Sequence, residues 1–189
     1  DDELSISAVK TASGAIKIFP VVKKVYRNDR LSNVQVAAEI EQDIIDEIER
    51  VARLIVDNMN FIGAITIDFV VSPAQALYVG NIYPFPNAFS RYSEQNKVMS
   101  VVEAHLRAIA SLPLPDEISN QQDYLYIPFY SDQVEMINTF ITIYPDWKFT
   151  FYPVVKEEGL ETKKAIGHII IETTDRKKTL ALLTEKTYK

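Results

Sequence analysis

The most chemically suggestive side chains in this sequence are a carboxylate and an amide on two consecutive β-rich runs. Asp68 lies in the run 61–71 and Asn81 in the run 76–83, and residues 72–75 between them have the composition of a hairpin loop. Hard cations such as magnesium bind carboxylate and amide oxygens, usually together with substrate phosphates. The pair therefore indicates a metal site. Periodicity alone favours a second interpretation, a buried aspartate hydrogen-bonded to a neighbouring strand.

The convergence of these two side chains depends on the register of the hairpin. If the loop closes symmetrically, Val71 faces Ala76 and Asp68 faces Val79. Asn81 then lies on the same face as Val79, diagonal to Asp68 at roughly 7–8 Å between backbones. A slip of one residue would separate the two side chains, because it moves a strand's side chains to the other face. The predicted metal site thus requires symmetric closure.

Few other catalytic groups are available. The chain has no cysteine and two histidines, which excludes thiolate chemistry and a multi-histidine metal site. We interpret His105, on a helical stripe, and His168, in a strand pattern, as structural residues. A Ser-His-Asp triad has no support, since the G-x-S-x-G motif is absent. The five glycines are too far apart for a phosphate-binding loop, and no catalytic residue can be assigned.

Composition narrows the class of protein further. The chain has 189 residues, 47% hydrophobic and 24% charged, as expected for one large or two small globular domains. Its formal net charge is −6, whereas proteins that bind nucleic acids are typically basic on the binding face, so the composition gives no indication of nucleic-acid binding. The longest apolar stretch, 61–71, contains Asp68 and is too short to span a bilayer. The chain begins at Asp1 without a signal-peptide pattern, so we expect a cytoplasmic fragment whose N-terminal part is missing.

The first half of the chain alternates between strand and helix periodicity. Residues 3–10 alternate polar and apolar side chains, which predicts a half-buried strand, and 15–22 predicts a second strand. Loop signals follow at 28–29 and 32–33. From 39 to 58 the apolar residues recur on one face of an amphipathic helix, and we interpret its acidic residues as a solvated face.

The middle of the chain predicts a loop, a helix and a boundary. Residues 83–92 contain two prolines and predict an ordered loop. A helix is expected over 94–111, ended by the Leu-Pro-Leu-Pro run at 112–115, and 116–123 is polar enough for a linker. The stripe of this helix predicted to be buried consists of Val98, Val101, Val102, His105, Leu106 and Ile109.

The remainder predicts a small α+β module. Strands are expected at 124–129, 147–155 and 167–172, and helices at 132–144 and 175–185.

Several motifs, in order along essentially the whole chain, resemble one family within the ATP-grasp superfamily, the 5-(carboxyamino)imidazole ribonucleotide synthases. That family has the patterns YVGVxxVEFF and LLVNEIAPRPHNSGH, then a helix ending HLRAIxGLPL, matched here at 61–70, 77–89 and 105–114. Three further family patterns are E-[LIV]-S, Y/F-P-V-x-E-N-x-H and a C-terminal W-x-x-x-x-Y followed by R-K-M-G-H. They are matched at 3–5, 19–26, 147–152 and 164–168.

This resemblance implies ATP-dependent carboxylation of aminoimidazole ribonucleotide with bicarbonate in purine biosynthesis, with ATP and Mg²⁺ as cofactors. By resemblance, Glu3 would accept hydrogen bonds from the nucleotide ribose, and Tyr26 stands where the family has a nucleotide-contacting histidine. Asp68 and Asn81 would occupy the metal positions. Lys164 would contact the phosphate of the ribonucleotide.

The chain departs from the family pattern at several positions that the resemblance assigns to nucleotide, metal or substrate binding. Asp68 replaces a glutamate, and Asn81 replaces a second glutamate and removes a charge. Gly80, assigned with Asn81 to the nucleotide-binding positions, replaces an asparagine. Further replacements in the following loop and near the C-terminus are Phe85 for arginine, Asn87 for histidine, Ala88 for asparagine, Phe89 for serine, and Lys164-Ala165 for an Arg-Lys pair.

We therefore expect an α+β fold in two parts. Residues 1–115 would form the C-terminal half of an ATP-grasp domain, an antiparallel sheet with helices, and 116–189 the small C-terminal domain of the family. Two functions remain open: an ATP-dependent carboxylase in the intact protein, or a non-catalytic paralogue acting in dimerisation, interaction or regulation. We expect a homodimer, and a fragment that alone is inactive and binds magnesium nucleotide weakly or not at all.

Overall fold

The computed structural model describes residues 1–36, 39–118, 123–153 and 164–187. The chain divides into two compact units, the first comprising residues 1–24 and 35–122 and the second 25–34 and 123–189. In chain order the strands and helices are β1 (Asp2–Lys10), β2 (Ile16–Ile18), β3 (Val22–Arg27), β4 (Arg30–Val36), α1 (Gln42–Asn58), β5 (Gly63–Val71), β6 (Leu77–Tyr83), α2 (Val101–Ile109), β7 (Tyr124–Phe129), α3 (Val134–Ile143), β8 (Lys148–Phe151), β9 (Gly167–Glu172) and α4 (Arg176–Thr187). The predicted α+β class, with an antiparallel sheet and helices, is confirmed.

β1 is the central strand of the first unit. It pairs antiparallel with β2, with the start of β3 and with β5, and β5 pairs with β6. The strand alternates polar and apolar residues as predicted, but residues 4–9 are all buried. The prediction of a half-buried strand was wrong because each face is covered by a helix: α1 packs on the side of Leu4 and Ile6, and α2 on the side of Val9.

The predicted elements around β1 are confirmed with shifted bounds. The helix expected over 39–58 begins at Gln42. Of the strand expected over 15–22, residues 16–18 form β2 and residue 22 begins β3, which continues to Arg27 beyond the predicted strand. Asn28 and Asn33 both lie in segments predicted as loops. Asn28 does form a turn, with a positive φ of 50°, whereas Asn33 lies inside β4 and is buried.

The hairpin of β5 and β6 forms with a register that differs from the predicted one. Val71 pairs with Leu77 instead of Ala76, and Phe69 instead of Asp68 pairs with Val79. The closing turn is responsible: the Ser72 amide donates to the Ala76 carbonyl at 3.0 Å, which leaves a three-residue loop. A bulge then places two residues, 80 and 81, opposite the single residue 68, between the pairs of β5 residues 67 and 69.

The helix predicted over 94–111 forms at α2, Val101–Ile109, and a 3-10 helix at Ala88–Gln95 begins inside the segment that was predicted as a loop. Ser100 caps α2 by accepting a hydrogen bond from the Glu103 amide at 3.1 Å. The predicted buried stripe was right at Val101 and wrong at most other positions. The helix buries Val101, Ala104 and Ala108, leaves His105 half-buried and exposes Val102, Leu106 and Ile109, and Val98, which precedes the helix, is exposed as well. The small alanines allow α2 to pack closely against Ala64 of β5, so the larger side chains point outward.

The second unit is built on the antiparallel strands β7, β9 and β8. β9 pairs with both other strands, and the strands at 124–129 and 167–172 have the predicted bounds. The expected third strand is shorter, at Lys148–Phe151, and its residues 154–155 lie outside the described part of the chain. A 3-10 turn at Ser131–Gln133 precedes α3, and α3 and α4 contribute Ile137, Phe140 and Leu183 to the core. That this unit is the C-terminal domain of the carboxylase family stays a prediction.

Within the described ranges, the structure contains no helix long and apolar enough to cross a membrane.

Candidate functional site

One face of the first unit's sheet carries a cluster of polar side chains. Pairing with β1 places Lys24 of β3 opposite Glu3, and Asp68 of β5 opposite Ser5. Glu3 and Ser5 lie two residues apart and share a face, because side chains along a strand alternate. Lys24 and Asp68 therefore lie on that same face, one on each side of β1, with the short Ser5 between them.

The Lys24 side chain bridges the cluster. β3 and β5 are two strand spacings apart, roughly 9–10 Å, a gap that a lysine and an aspartate can span together. The Lys24 ammonium lies 2.9 Å from Oδ2 of Asp68 and 3.6 Å from Oε2 of Glu3. The side chains of Lys24 and Asp68 are 4% and 9% exposed, whereas that of Glu3 is 47% exposed. The central feature of the cluster is thus a buried ion pair.

An aromatic ring covers the ammonium. The Lys24 nitrogen lies 4.6 Å from the centroid of the Phe89 ring, a cation–π distance. Phe89 is positioned by the start of the 3-10 helix, where its amide donates to Oδ1 of Asn87 at 3.0 Å. The hydroxyl of Thr66 on β5 contacts the Phe85 carbonyl at 3.4 Å and ties the preceding loop to the sheet.

The two residues predicted to hold a metal are neighbours, although not by the predicted register. The bulge sets Gly80 against Asp68: a Cβ at Gly80 would lie 3.3 Å from the Asp68 carbonyl oxygen and 3.5 Å from its Cβ. Asn81 is the second residue of the bulge and is exposed. Oδ1 of Asp68 is buried and makes no hydrogen bond to any described residue.

These residues do not fit a magnesium ion. Asn81 is neutral, and the single carboxylate beside it is already paired with an ammonium group that would repel a divalent cation. In the part of the chain that the structure describes, no group of three or more His, Cys, Asp or Glu side chains is placed to hold a metal ion.

The other predicted site residues lie in the second unit. Tyr26, near the end of β3, is 41% exposed. Lys164 is exposed and lies shortly before β9. The cluster of the first unit brings together Glu3, Asp68, Gly80 and Asn81.

The two histidines occupy structural positions, in line with their interpretation from the sequence. Nδ1 of His105 accepts a hydrogen bond from the Ala64 amide at 2.9 Å, which fixes α2 to the start of β5. His168 is fully buried on β9, and its Nδ1 lies 2.8 Å from the Tyr152 hydroxyl.

Sequence reasoning missed Lys24. The signal was present in the family pattern Y/F-P-V-x-E-N-x-H, in which Lys23 and Lys24 take the places of the glutamate and the asparagine. The change at Lys24 and the change of serine to Phe89 occur at residues that touch each other in the structure.

Comparison with known proteins identifies the class. The ATP-grasp domain family matches residues 1–96, and the chain belongs to this family. It is similar to an N5-carboxyaminoimidazole ribonucleotide synthase of Staphylococcus aureus, with 25% identity over 173 residues that cover 92% of this chain and 45% of that protein. The resemblance inferred from the sequence motifs is thereby confirmed.

Solved structures share the fold. An N5-carboxyaminoimidazole ribonucleotide synthetase in complex with ADP superposes with a TM-score of 0.89 at 19% identity, over 99% of this chain and 48% of that one. The Aspergillus clavatus N5-carboxyaminoimidazole synthase, in complex with ADP and 5-aminoimidazole ribonucleotide, gives 0.85 at 18% identity, over 99% and 51% of the two chains. The chain thus spans about half the length of the relatives it matches.

Proposed function

We propose that this chain is part of an ATP-dependent ligase that carboxylates aminoimidazole ribonucleotide with bicarbonate, a step of purine biosynthesis. The observation that carries the proposal is the similarity to N5-carboxyaminoimidazole ribonucleotide synthases along 92% of the chain. The fold is shared with a relative bound to ADP and 5-aminoimidazole ribonucleotide, which supports a nucleotide and a ribonucleotide as ligands. The cytoplasmic location predicted from the sequence stays a prediction.

For the residues of the first unit we propose a nucleotide-facing role. Glu3 has a carboxylate that is about half exposed, so it is accessible to a ribose hydroxyl. Gly80 and Asn81 lie on an exposed strand, so both are accessible to a ligand. In the second unit, the exposed Lys164 offers a positive charge for the phosphate of the ribonucleotide, and the exposed phenol of Tyr26 a contact for the nucleotide.

ATP is the cofactor of this proposal, and Mg²⁺ is not assigned to Asp68 and Asn81. A magnesium ion supplies charge neutralisation to the phosphates in phosphoryl transfer. Because the ammonium of Lys24 neutralises Asp68, the described residues leave that task to the nucleotide's own metal or to other parts of the protein. We also propose that the 189-residue chain alone does not hydrolyse ATP, since it spans 45% of a relative's length.

The proposal is tested by an ATPase assay on the longest natural protein that contains this chain. The assay is run with bicarbonate alone, with aminoimidazole ribonucleotide alone, and with both. We expect ATP hydrolysis to be stimulated by the two substrates together, with formation of the carboxylated ribonucleotide. Hydrolysis that neither substrate changes would contradict the proposal.

A non-catalytic paralogue is the second candidate, and one observation favours it. At the predicted metal site, the carboxylate of Asp68 forms an ion pair with Lys24 of the same chain. The second predicted metal position, Asn81, has a neutral amide. In that case the same assay would show no stimulation by the two substrates. The names of the similar proteins favour the first candidate, the ATP-dependent synthase.

We further propose a homodimer, which would use the apolar residues exposed on α2. Val102, Leu106 and Ile109, the outer stripe of α2, are each exposed by more than two fifths. Contiguous exposed apolar side chains mark contact surfaces.

A further inference from the structure

Lys24 supplies the positive charge of the cluster on the first unit's sheet. We infer that its ammonium is a tethered cation that takes the place of a divalent metal against Asp68, and that Asp68 and Asn81 do not bind Mg²⁺ in this chain. The inference concerns metal binding by these residues and holds whether or not the intact protein carboxylates a ribonucleotide.

The ammonium of Lys24 is held in a buried position by contacts with three side chains of the same chain. Its ammonium is 2.9 Å from one carboxylate, 3.6 Å from a second and 4.6 Å from the centre of the Phe89 ring. Its side chain is 4% exposed, so the group is held by protein and not by water. A lysine buried to this extent needs such partners, because an unpaired buried charge is strongly unfavourable.

The negative charge of Asp68 is balanced without a metal. The single positive charge of Lys24 faces the two carboxylates of Asp68 and Glu3, and the half-exposed Glu3 is stabilised by water as well. A divalent ion at Asp68 would have to displace or repel the ammonium. Magnesium also gives up its water reluctantly and binds poorly to one carboxylate and one amide.

The second carboxylate oxygen of Asp68, Oδ1, is not sufficient to form a metal site. It is buried and makes no hydrogen bond to a described residue, so one oxygen remains available. One buried oxygen beside a neutral, exposed Asn81 is a poor site for Mg²⁺, which usually keeps several waters and is held by one or two carboxylates together with substrate phosphates.

The test uses Mn²⁺ as a paramagnetic probe of divalent-metal binding, without nucleotide. Backbone amide signals of residues 66–69 and 79–82 are followed by NMR in the wild-type chain during a Mn²⁺ titration. We expect these signals to persist at Mn²⁺ concentrations that already broaden signals near exposed acidic residues of α1. Selective broadening around Asp68 in the wild type, lost in Asp68→Asn, would overturn the inference.

Two matched variants test the role of the ammonium. Lys24→Asn with Asn81→Glu removes the tethered cation and adds a carboxylate, whereas Lys24→Arg with Asn81→Glu adds the same carboxylate and keeps a cation. Neighbours of metal ligands change metal affinity by about 10- to 100-fold, so we expect the first double variant to bind Mn²⁺ at Asp68 at least about 10-fold more tightly than the second. Equal affinities in the two folded variants would overturn the inference.

Folding of the variants is monitored by circular dichroism and by the midpoint of thermal unfolding. We expect Mn²⁺ to raise this midpoint for the Lys24→Asn, Asn81→Glu variant and not for the wild type, because a ligand that binds the folded state stabilises it. If that variant stays unfolded with and without Mn²⁺, the wild-type titration decides: persistent signals support the inference and selective broadening refutes it.

Discussion

At the scale of single residues, the ion pair of Lys24 and Asp68 stabilises the sheet only while both partners are present. Removing one partner of a buried pair leaves an uncompensated charge, which costs about 3–5 kcal/mol. Lys24→Met should therefore lower the free energy of unfolding by about this amount. Adding Asp68→Leu to that variant should restore most of the loss, because both charges are then gone. Urea denaturation followed by circular dichroism measures these differences.

The neighbouring lysine is the matched control for this prediction. Lys23 lies on the opposite face of β3 and pairs with Asp2, whose side chain is 50% exposed. Surface ion pairs contribute about 0–1 kcal/mol, so Lys23→Met should have a small effect. If both lysine substitutions destabilise the chain equally, Lys24 is not the buried partner that the structure describes.

Tyr92 gives a prediction for alkaline pH. The residue is buried, its hydroxyl donates to the Pro20 carbonyl at 3.3 Å, and burial raises the pKa of Tyr92 well above its usual value. Above about pH 10 an unfolded tyrosine loses its proton, whereas the folded residue keeps it, so the unfolded state is favoured as pH rises. The stability contributed by Tyr92 is complete below about pH 10 and falls above it by at most about 1.4 kcal/mol per pH unit.

The measurement is the difference in unfolding free energy between the wild type and Tyr92→Phe, taken from about pH 8 to pH 11. At the lower pH the wild type should be more stable by about 1 kcal/mol, the value of one hydrogen bond. This advantage should shrink or reverse at the higher pH. Tyr78→Phe, which removes an exposed phenol, is the control. A constant advantage of the wild type over Tyr92→Phe across this range would contradict the assignment.

The candidate site was predictable from the sequence only in part. Asp68 was singled out because a hairpin brings its carboxylate near the amide of Asn81, and its proximity to position 81 holds in the structure. The pairing from which their separation was predicted was wrong, because symmetric closure of the hairpin was assumed and the bulge was not foreseen. Lys24 was missed because periodicity within β3 does not reveal a contact made across β1.

At the scale of elements, the position of α2 depends on a glycine at the start of β5. Gly63 has a φ of +119°, and a Cβ there would lie 2.6 Å from Nδ1 of His105. Gly63→Ala should therefore weaken the contact of α2 with β5. Gly14 is the matched control, since its φ is +87° and a Cβ there would meet nothing within 4 Å. Both alanine variants carry backbone strain, and only Gly63→Ala adds a steric conflict.

The expected difference between these two variants is about 1–3 kcal/mol in unfolding free energy, the usual cost of overpacking. Denaturant titration measures it, and NMR reports whether the Ala64 amide loses its hydrogen bond to His105. Equal destabilisation by the two substitutions would mean that His105 moves aside at no cost.

The elements themselves were predicted well where local chemistry decides and poorly where packing decides. β7 and β9 have the expected bounds because apolar runs and turn residues define them. The prediction of which face of α2 is buried was mostly wrong, because hydrophobicity was taken to indicate burial. The small residues Ala104 and Ala108 make the close contact, and this preference follows from the shape of the partner strand.

At the scale of the whole molecule, the outer stripe of α2 is an apolar surface without a partner among the residues that the structure describes. Leu106 at its centre is 55% exposed. Burying an apolar side chain of this size on association contributes about 1.5–3 kcal/mol, so a stripe of three such residues related by two-fold symmetry supports a weak dimer. Two-fold symmetry doubles each contact, because the same patch is used on both copies.

The homodimer is tested by light scattering and sedimentation of the chain over a range of micromolar concentrations. We expect the wild type to change from monomer to dimer as its concentration rises, and Leu106→Lys to stay monomeric, since a charge in an apolar contact is unfavourable. Leu54→Lys is the matched control, because Leu54 is also an exposed helical leucine, 56% exposed, but lies on α1. Lysine and leucine have similar helix propensities, so neither substitution should unfold its helix. A wild type that remains monomeric at high micromolar concentration would refute the dimer. Equal loss of association in both variants would place the contact elsewhere than the stripe.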